Sequence, residues 1–379
     1  MQKNPILIII GTRPEGIKMI PIYFALTRNN IPTHLCSTAQ HTTLLDDVFS
    51  VFNVQPDSSL NIMQPQQDLF DITINILDKI KKLLQRIKPR LVLVQGDTTT
   101  SFAAALAAFY FKIPIAHIEA GLRTYDLQRP FPEEMNRRAI SVIANLHFIP
   151  TQRAQKNLLH EGISKSIIFN SGNTIVDALR IIHKKIVNQN HLVDRQLQHI
   201  IIQCIQEKRK LILFTAHRRE SFGKSMDTIL SAIKRFAYDY QETITIFYPY
   251  HPNPNIITAI QHAQLHTQQN IILLKPLSYI NLVYVLMKSA IIVTDSGGIQ
   301  EEAISLSKPV LILRDKTERT EGIKAGLATL VGTQYDCIIN NLEKTFVYAT
   351  STEIKFTSIY GDGYAAQKIV RILQEKKYA

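Results

Sequence analysis

Short apolar runs alternate with longer amphipathic segments along the whole chain. Runs such as "PILIII", "LVLVQ" and "LILFTA" are each followed by a segment whose apolar residues recur at helical spacing. Strands that alternate with helices in this way build a parallel sheet with helices on both faces. The sequence therefore predicts an α/β fold.

The alternation occurs in both halves of the chain, which predicts two domains. A chain of 379 residues also exceeds what one hydrophobic core usually supports. The longest strand-free segment begins near residue 172. We expect a doubly wound, Rossmann-like domain over 1–172 and a second one over 173–362, with a final helix at 363–379 that could pack back on the first domain.

Polar clusters follow the predicted strands where the strands end. In parallel sheets of this kind, ligands bind outside the carboxyl ends of the strands. We therefore expect the two sheets to face a central cleft that holds an anionic ligand. The clusters are "GTRPEG", "QGDTTT", "HIEAGLRT", "TAHRRES", "YPYHPNP", "DSGGIQEE" and "RDKTERTEG".

Each cluster also has a purely structural interpretation. Asp97, which precedes three threonines, suits an N-cap, and Glu15 is an ordinary residue for the first turn of a helix. Ser296 and the two glycines after it could form only a tight turn, although the same geometry makes an anion site from backbone N–H groups. The repetition of such clusters at matching positions favours a bound ligand.

Several function classes are not favoured. No GxGxxG or GxxxxGK[ST] motif opens a helix, and no His or Cys residues have metal-ligand spacing, so we expect no NAD, P-loop nucleotide or metal. The net charge of +12 is dispersed over helix faces, which does not favour nucleic-acid binding. The three cysteines lie far apart and no run is long enough to span a membrane, so we expect a soluble, cytoplasmic protein without membrane contact.

A series of motifs resembles that of the bacterial, non-hydrolysing UDP-N-acetylglucosamine 2-epimerases. The motifs occur in the same order and at matching spacing, and they are "GTRPEGIKMIPI", "QGDTTTSFAAALAAF", "HIEAGLRT", "PFPEEMNRR", "GNTIVDAL", "TAHRRES", "TDSGGIQEEA" and "KPVLILRDKTERTEG". The resemblance implies the type B fold of nucleotide-sugar transferases, a homodimer, and interconversion of UDP-GlcNAc and UDP-ManNAc for surface polysaccharide synthesis.

The resemblance also implies roles for individual residues. The catalytic set is Asp97, Glu119, Glu133 and His217. The substrate-binding set is Arg13, Lys18, Leu277, Leu282, Ser296, Gly297, Gly298, Glu302 and Arg319, in which the two leucines could equally be core residues. A second, allosteric UDP-GlcNAc site would use Gln40, His41, Arg218 and His251.

The expected chemistry agrees with the motifs that are missing. Without NAD, inversion at C2 can proceed by breaking the C1–O bond to UDP, which acidifies the C2 proton and gives 2-acetamidoglucal. Readdition of UDP with protonation on the opposite face gives the epimer, so proton-transfer groups are needed on both faces. A hydrolysing epimerase, a glycosyltransferase of the same fold and a non-catalytic nucleotide-sugar sensor remain the alternatives.

The chain departs from the family pattern at a few positions. Ile304 and Ser307 replace a proline and a glycine of "EEAPSLGKP", and Thr320 replaces a proline. At the second site, Thr42, Thr43 and Gln66 stand where longer or charged side chains often occur. We therefore expect a functional active site and a weakened allosteric site.

Overall fold

The computed structural model describes residues 4–39, 42–63, 67–218, 221–349 and 355–379. The chain divides into two compact units. The first unit ends at Arg180 and takes in Tyr360–Ala379, and the second unit is Ile181–Ile359.

The first unit contains a seven-stranded parallel sheet in the order β3-β2-β1-β4-β5-β6-β7. Its elements, in chain order, are β1 (Ile6–Ile10), α1 (Arg13–Arg28), β2 (Thr33–Ser37), α2 (Thr42–Phe52), β3 (Ser58–Ser59), α3 (Leu69–Ile87), β4 (Leu91–Gln95), α4 (Thr99–Tyr110), β5 (Ile115–Ile118), α5 (Glu133–Ile143), β6 (Leu146–Ile149), α6 (Gln152–His160), β7 (Ile168–Asn170) and α7 (Thr174–Asn188), whose last residues belong to the second unit.

The second unit contains a six-stranded parallel sheet in the order β10-β9-β8-β11-β12-β13. Its elements are α8 (Arg195–Gln206), β8 (Lys210–Thr215), α9 (Lys224–Asp239), β9 (Ile244–Pro249), α10 (Pro254–His262), β10 (Ile271–Leu274), α11 (Tyr279–Lys288), β11 (Ile291–Thr294), α12 (Gly297–Ser305), β12 (Val310–Ile312), α13 (Glu321–Lys324), β13 (Ala328–Leu330) and α14 (Tyr335–Tyr348). A last helix, α15 (Ala365–Glu375), lies in the first unit.

Both sheets are buried on both faces at their centres. Every residue of β1 and β4 is buried, as expected for parallel strands covered by helices on each side. In the second unit, Ile212 and Phe214 of β8 and Ile291 and Val293 of β11 belong to one hydrophobic core that also takes in α9. The predicted fold class of two doubly wound parallel α/β domains is confirmed.

The first unit extends past the expected boundary at 172 because the start of α7 is tied to the C-terminal segment. The backbone N–H of Asn173 donates to the carbonyl of Tyr360 at 2.7 Å. The buried carboxylate of Asp177 accepts from the N–H groups of Ala365 and Ala366, at the start of α15, at 3.2 and 2.9 Å. Burial raises the pKa of Asp177 to about 6.

Among the described residues, no helix is both long enough and apolar enough to cross a bilayer.

Candidate active site

Each sheet has a point at which its strand order reverses. In the first unit this point lies between β1 and β4, and in the second unit it lies between β8 and β11. The loops that leave two such neighbouring strands run to opposite faces of the sheet and leave a crevice between them. Most of the predicted site residues follow these strands or the strands next to them.

Glu119 lies directly after β5 and is held by three side chains. Lys18 Nζ donates to both of its carboxylate oxygens, at 2.6 and 2.7 Å, and the two side chains are only 4% and 5% exposed. The side-chain amides of Gln95 and Asn173 also donate to it, the latter at 3.2 Å. The backbone of Glu119 has a φ of 63°, which a residue with a Cβ adopts only where its surroundings enforce it. Lys18, expected to contact phosphate, is therefore also a partner of this carboxylate.

Asp97 follows β4 and forms an ion pair with Arg137 of α5. Asn136, on the same helix, donates to the backbone carbonyl of Asp97 at 2.9 Å. The interpretation of Asp97 as an N-cap is wrong, because Thr98 caps α4 and its hydroxyl accepts from the N–H of Ser101 at 3.0 Å. The Asp97 side chain is 28% exposed, so it is oriented by Arg137 and still open to solvent.

Two adjacent glutamates begin α5 and differ in their surroundings. Glu134 is fully buried and accepts from the backbone N–H groups of Thr124 and Tyr125, at 3.1 and 3.0 Å, and from Arg137 at 3.2 Å. It therefore holds the preceding loop. Glu133 is only partly buried, so of the two carboxylates it is the more accessible.

Arg13 is the first residue of α1 and is partly exposed. Two residues further on, Glu15 is fully buried. The structural interpretation of Glu15 as an ordinary first-turn residue is therefore incomplete, because such acids usually face solvent.

His217, in the second unit, is fixed by Asp295. Asp295 Oδ2 accepts from the backbone N–H groups of His217 and Arg218, both at 2.7 Å, and Oδ1 lies 3.2 Å from His217 Nδ1. The carboxylate is almost fully buried, whereas the imidazole is 40% exposed. The ring of His251 stacks on that of His217 with centroids 6.4 Å apart, and burial together with this neighbour lowers the pKa of His251. The Nδ1 side of His217 thus faces the Asp295 carboxylate.

The turn after β11 approaches a guanidinium closely. Ser296 is the N-cap of α12, and a Cβ on Gly297 would lie 2.5 Å from Arg319 Cζ. Arg319 Nε donates to Glu301 at 2.8 Å, and a second nitrogen pairs with Glu318. A Cβ at position 297 would therefore displace the guanidinium, which lies against the turn, next to the backbone N–H groups that begin the helix. A positive side chain and a helix N-terminus together favour an anion.

The remaining substrate-binding predictions fall around the same sheet. Leu277 precedes α11 and Leu282 lies within it, and both are only partly buried, so the alternative that they are core leucines is not supported. Glu302 lies on the first turns of α12 and is buried, and Gly298 is the second residue of that helix.

Only part of the predicted allosteric set can be located. Arg218 is partly buried and follows His217 in the chain. The ring of His251 stacks on that of His217. Gln40, His41 and Gln66 lie outside the described residues.

Comparison with known proteins identifies the family. The family model described as UDP-N-acetylglucosamine 2-epimerase matches residues 25–374. The chain belongs to this family. It is 46% identical to the UDP-N-acetylglucosamine 2-epimerase of Campylobacter jejuni over 376 residues, which cover 98% of each chain.

Solved structures of family members have the same fold. The crystal structure of the Neisseria meningitidis UDP-GlcNAc 2-epimerase bound to UDP-GlcNAc matches with a TM-score of 0.92 and 44% identity, over 98% of this chain and 100% of that one. The Methanocaldococcus jannaschii enzyme in complex with UDP-GlcNAc and UDP matches with a TM-score of 0.84 and 34% identity, over 98% and 99%. The predicted family and the prediction that the chain is an epimerase, hence an isomerase, are confirmed.

Sequence reasoning missed four polar residues that orient the predicted ones. They are Glu15, Gln95, Asn173 and Asp295. Each lies inside a motif that the sequence had singled out, directly at a strand end or a helix start. The available signal was therefore position: Glu15, Gln95 and Asp295 stand within two residues of a predicted site residue, whereas Asn173 stands at a helix start in a motif that held none.

Proposed function

We propose that the protein interconverts UDP-GlcNAc and UDP-ManNAc by eliminating and readding UDP. Family membership supports the sugar nucleotide. The observation that carries the mechanism is the arrangement of Asp97 and Glu119, two carboxylates at the ends of adjacent strands that are each paired with a cation.

The proposed reaction balances around C1 and C2 of the sugar. As the C1–O bond breaks, its electron pair leaves with UDP, and a carboxylate takes the proton from C2. The product is 2-acetamidoglucal, with a double bond between C1 and C2. Readdition of the UDP oxygen at C1 and proton delivery to the other face of C2 give the epimer. Asp97, Glu119, Glu133 and His217 are the proposed proton-transfer set, and the assignment of one to each face is left to experiment.

The departing diphosphate needs positive charge and N–H donors. We propose that Arg13 and Lys18 in the first unit, and Arg319 with the Ser296–Gly298 turn in the second unit, stabilise it. The Lys18 ammonium would then interact with both the phosphate and Glu119. The leaving group and a carboxylate that moves the proton would therefore have the same cationic partner. Glu302 would accept from a ribose hydroxyl, and Leu277 and Leu282 would contact the uracil.

The test is to incubate the purified protein with UDP-GlcNAc in D2O, without added NAD or metal, and to identify the products by NMR. We expect UDP-ManNAc with deuterium at C2. Retention of the original hydrogen at C2 would exclude elimination. Free ManNAc with UDP would show a hydrolysing enzyme, sugar transfer to an acceptor would show a glycosyltransferase, and binding without turnover would show a sensor.

Variants at the carboxylates refine this test. Asp97→Asn or Glu119→Gln should impair proton transfer and release 2-acetamidoglucal and UDP into solution. Glu161→Gln is a matched control, because Glu161 is an ion-paired carboxylate of the same unit that binds Arg123 instead. If the two site variants turn over as fast as this control, the assignment is wrong.

We further propose a weak allosteric response. Arg218 and His251 support a second site, whereas the residues at positions 42, 43 and 66 lack the longer side chains common in the family. Loss of one charge-assisted hydrogen bond weakens binding by roughly 1.5–3 kcal/mol, or one to two orders of magnitude. The reverse reaction, started with UDP-ManNAc alone, should therefore be slow and respond to UDP-GlcNAc only at high concentration. Full-speed reverse turnover without a lag would show that the site is lost.

We also propose a cytoplasmic homodimer that supplies surface polysaccharide synthesis. Exposed apolar side chains on helices of the first unit support self-association: Phe70 on α3, Tyr110 on α4 and Val142 on α5 are 78%, 70% and 79% exposed. Light scattering coupled to gel filtration would give the mass, and a monomer at micromolar concentration would reject the dimer.

A further inference from the structure

Glu15 receives hydrogen bonds from two separate turns of the first unit. Its Oε2 accepts from the backbone N–H groups of Gly11 and Thr12, at 2.9 and 2.6 Å, in the turn after β1. Its Oε1 lies 2.6 Å from the hydroxyl of Thr98 and 2.7 Å from that of Ser101, both at the start of α4. One side chain therefore joins the turn that carries Arg13 to the turn that carries Asp97.

The two turns are packed tightly around this carboxyl group. A Cβ on Gly11 would lie only 2.8 Å from both Thr100 Cβ and Thr38 Oγ1, so the backbone of the first turn lies against α4. Within the described residues, the hydrogen-bond partners of Glu15 are backbone N–H groups and hydroxyls, and none is a cation. Ionisation of a fully buried carboxyl group without a counter-ion is energetically unfavourable.

The hydrogens around Oε1 can be counted. Three oxygen–oxygen contacts here measure 2.6–2.7 Å. They join Thr98 Oγ1 to Glu15, Ser101 Oγ to Glu15, and Ser101 Oγ to the carbonyl of Gln95. Each needs a hydrogen between its oxygens, but the carbonyl has none and the two hydroxyls supply only two. A proton on Glu15 supplies the third. The order is then Thr98 to Glu15, Glu15 to Ser101, and Ser101 to Gln95.

We propose that Glu15 is a positioning residue that carries a proton in the folded enzyme and fixes Arg13 and Asp97 relative to each other as a neutral acid. The inference rests on the proposed function for the roles of those two residues. Burial raises the pKa of Glu15, in agreement with the hydrogen count. The chain of bonds ends at Gln95, whose side chain donates to Glu119, so the same network also orients the second carboxylate.

Three variants at position 15 distinguish three roles for Glu15: a neutral hydrogen-bonded link between the turns, a required negative charge, and simple packing. Glu15→Gln keeps the length and is neutral, and its amide nitrogen can donate to both hydroxyls while its oxygen keeps both N–H bonds. We expect kcat within about threefold of wild type. Glu15→Asp keeps the acid but is one methylene shorter and cannot reach both turns, so we expect kcat to fall at least tenfold with a smaller change in KM. Glu15→Ala should lower both kcat and the melting temperature.

Asp177→Asn is the matched control. Asp177 is another buried carboxylate of the same unit that accepts from two backbone N–H groups, but it caps α15 and touches neither turn. We expect this variant to lower the melting temperature without a comparable loss of kcat. A loss of kcat in Glu15→Asp no larger than in Asp177→Asn would overturn the positioning role. A Glu15→Gln enzyme as slow as Glu15→Asp would show that the charge is required and would overturn the neutral link.

Hydrogen exchange tests the link without relying on activity. In the ligand-free protein, Glu15→Asp should speed amide exchange in peptides covering residues 10–16 and 96–102 together, whereas Glu15→Gln and Asp177→Asn should leave both protected. Faster exchange in the first peptide alone would overturn the link between the turns. If wild type does not epimerise UDP-GlcNAc, the proposed function fails, and the exchange result still decides the role of Glu15 as a link.

Discussion

Asp295→Asn should slow the enzyme through His217 while leaving the fold intact. In wild type, His217 Nδ1 lies 3.2 Å from Asp295 Oδ1, so the carboxylate favours the tautomer that carries its proton on Nδ1 and has an acceptor at Nε2. Asparagine can still accept from the N–H groups of His217 and Arg218 with its oxygen. Its NH2 group then faces Nδ1, which must become the acceptor, so the proton moves to Nε2.

The sizes of the effects on stability and on kcat follow from the hydrogen bonds that Asp295→Asn keeps and the interactions that it removes. The two backbone hydrogen bonds at 2.7 Å survive with a neutral acceptor, so the free energy of unfolding should fall by only about 1–2 kcal/mol. The imidazole loses both its correct tautomer and the carboxylate that orients it. A change of this kind lowers kcat by roughly 10²–10⁴ in a catalytic Asp–His pair.

The assay is a double-mutant cycle with His217→Asn. Turnover is followed by NMR, and stability is followed by urea unfolding of each variant. If Asp295 acts through His217, adding Asp295→Asn to His217→Asn should cause no further loss of kcat. Equal losses in the presence and absence of the histidine would refute the reasoning, as would an unfolded Asp295→Asn protein.

Three further predictions concern the charge on the leaving group, acid stability and one strained residue. Arg13→Ala should lower kcat by about a hundredfold or more, measured by the same NMR assay, because a cation is lost where charge develops; near-normal turnover would remove Arg13 from the site. Burial lowers the pKa of His117 to about 3 and that of His147 to about 4. The unfolded chain therefore binds more protons below pH 6.5, and the free energy of unfolding should fall as the pH drops from 6.5 toward 4, by up to about 1.4 kcal/mol per pH unit for each histidine. Urea unfolding at several pH values should show a shallower dependence in His147→Leu, and an unchanged slope would contradict the assignment. Ser307 replaces the glycine usual in the family and has a φ of 58°. Ser307→Gly should therefore raise the free energy of unfolding by about 1 kcal/mol, reduced by the loss of the 2.6 Å hydrogen bond from the Ser307 hydroxyl to the carbonyl of Lys355. A less stable variant would show that this hydrogen bond outweighs the strain.

The sequence predicted most helices and strands because their signal is local. The apolar runs "PILIII", "LVLVQ" and "LILFTA" coincide with β1, β4 and β8 to within about one residue. Strand β3 was missed because Ser58–Ser59 is polar and only two residues long. The exact end of the first unit at Arg180 is not a local property, because it involves contacts of Asp177 with α15, which lies far away in the sequence.

The site was predictable to the extent that strand ends determine it. A parallel sheet brings the carboxyl ends of its strands to one edge, so a polar cluster after each strand is enough to nominate Asp97, Glu119 or His217. The residues that orient them depend on which strands become neighbours. Asp295 reaches His217 because β11 pairs with β8 and places Thr294 beside Thr215, a relation that the order of the strands along the chain does not reveal.

Glu15 shows where such a prediction could be improved. On its own helix it is an acid in the first turn, a position at which acids are common because they offset the helix dipole. What distinguishes it is that α1 follows β1 and α4 follows β4, and the sheet reverses its order between these two strands. At such a reversal the two helices run to opposite faces of the sheet, but both begin at the carboxyl ends of neighbouring strands, so a carboxyl group on the first turn of one can reach the hydroxyls that begin the other. An acid in the first helix together with Ser or Thr at the start of the fourth is therefore a testable signature of linked turns in any doubly wound sheet with this strand order.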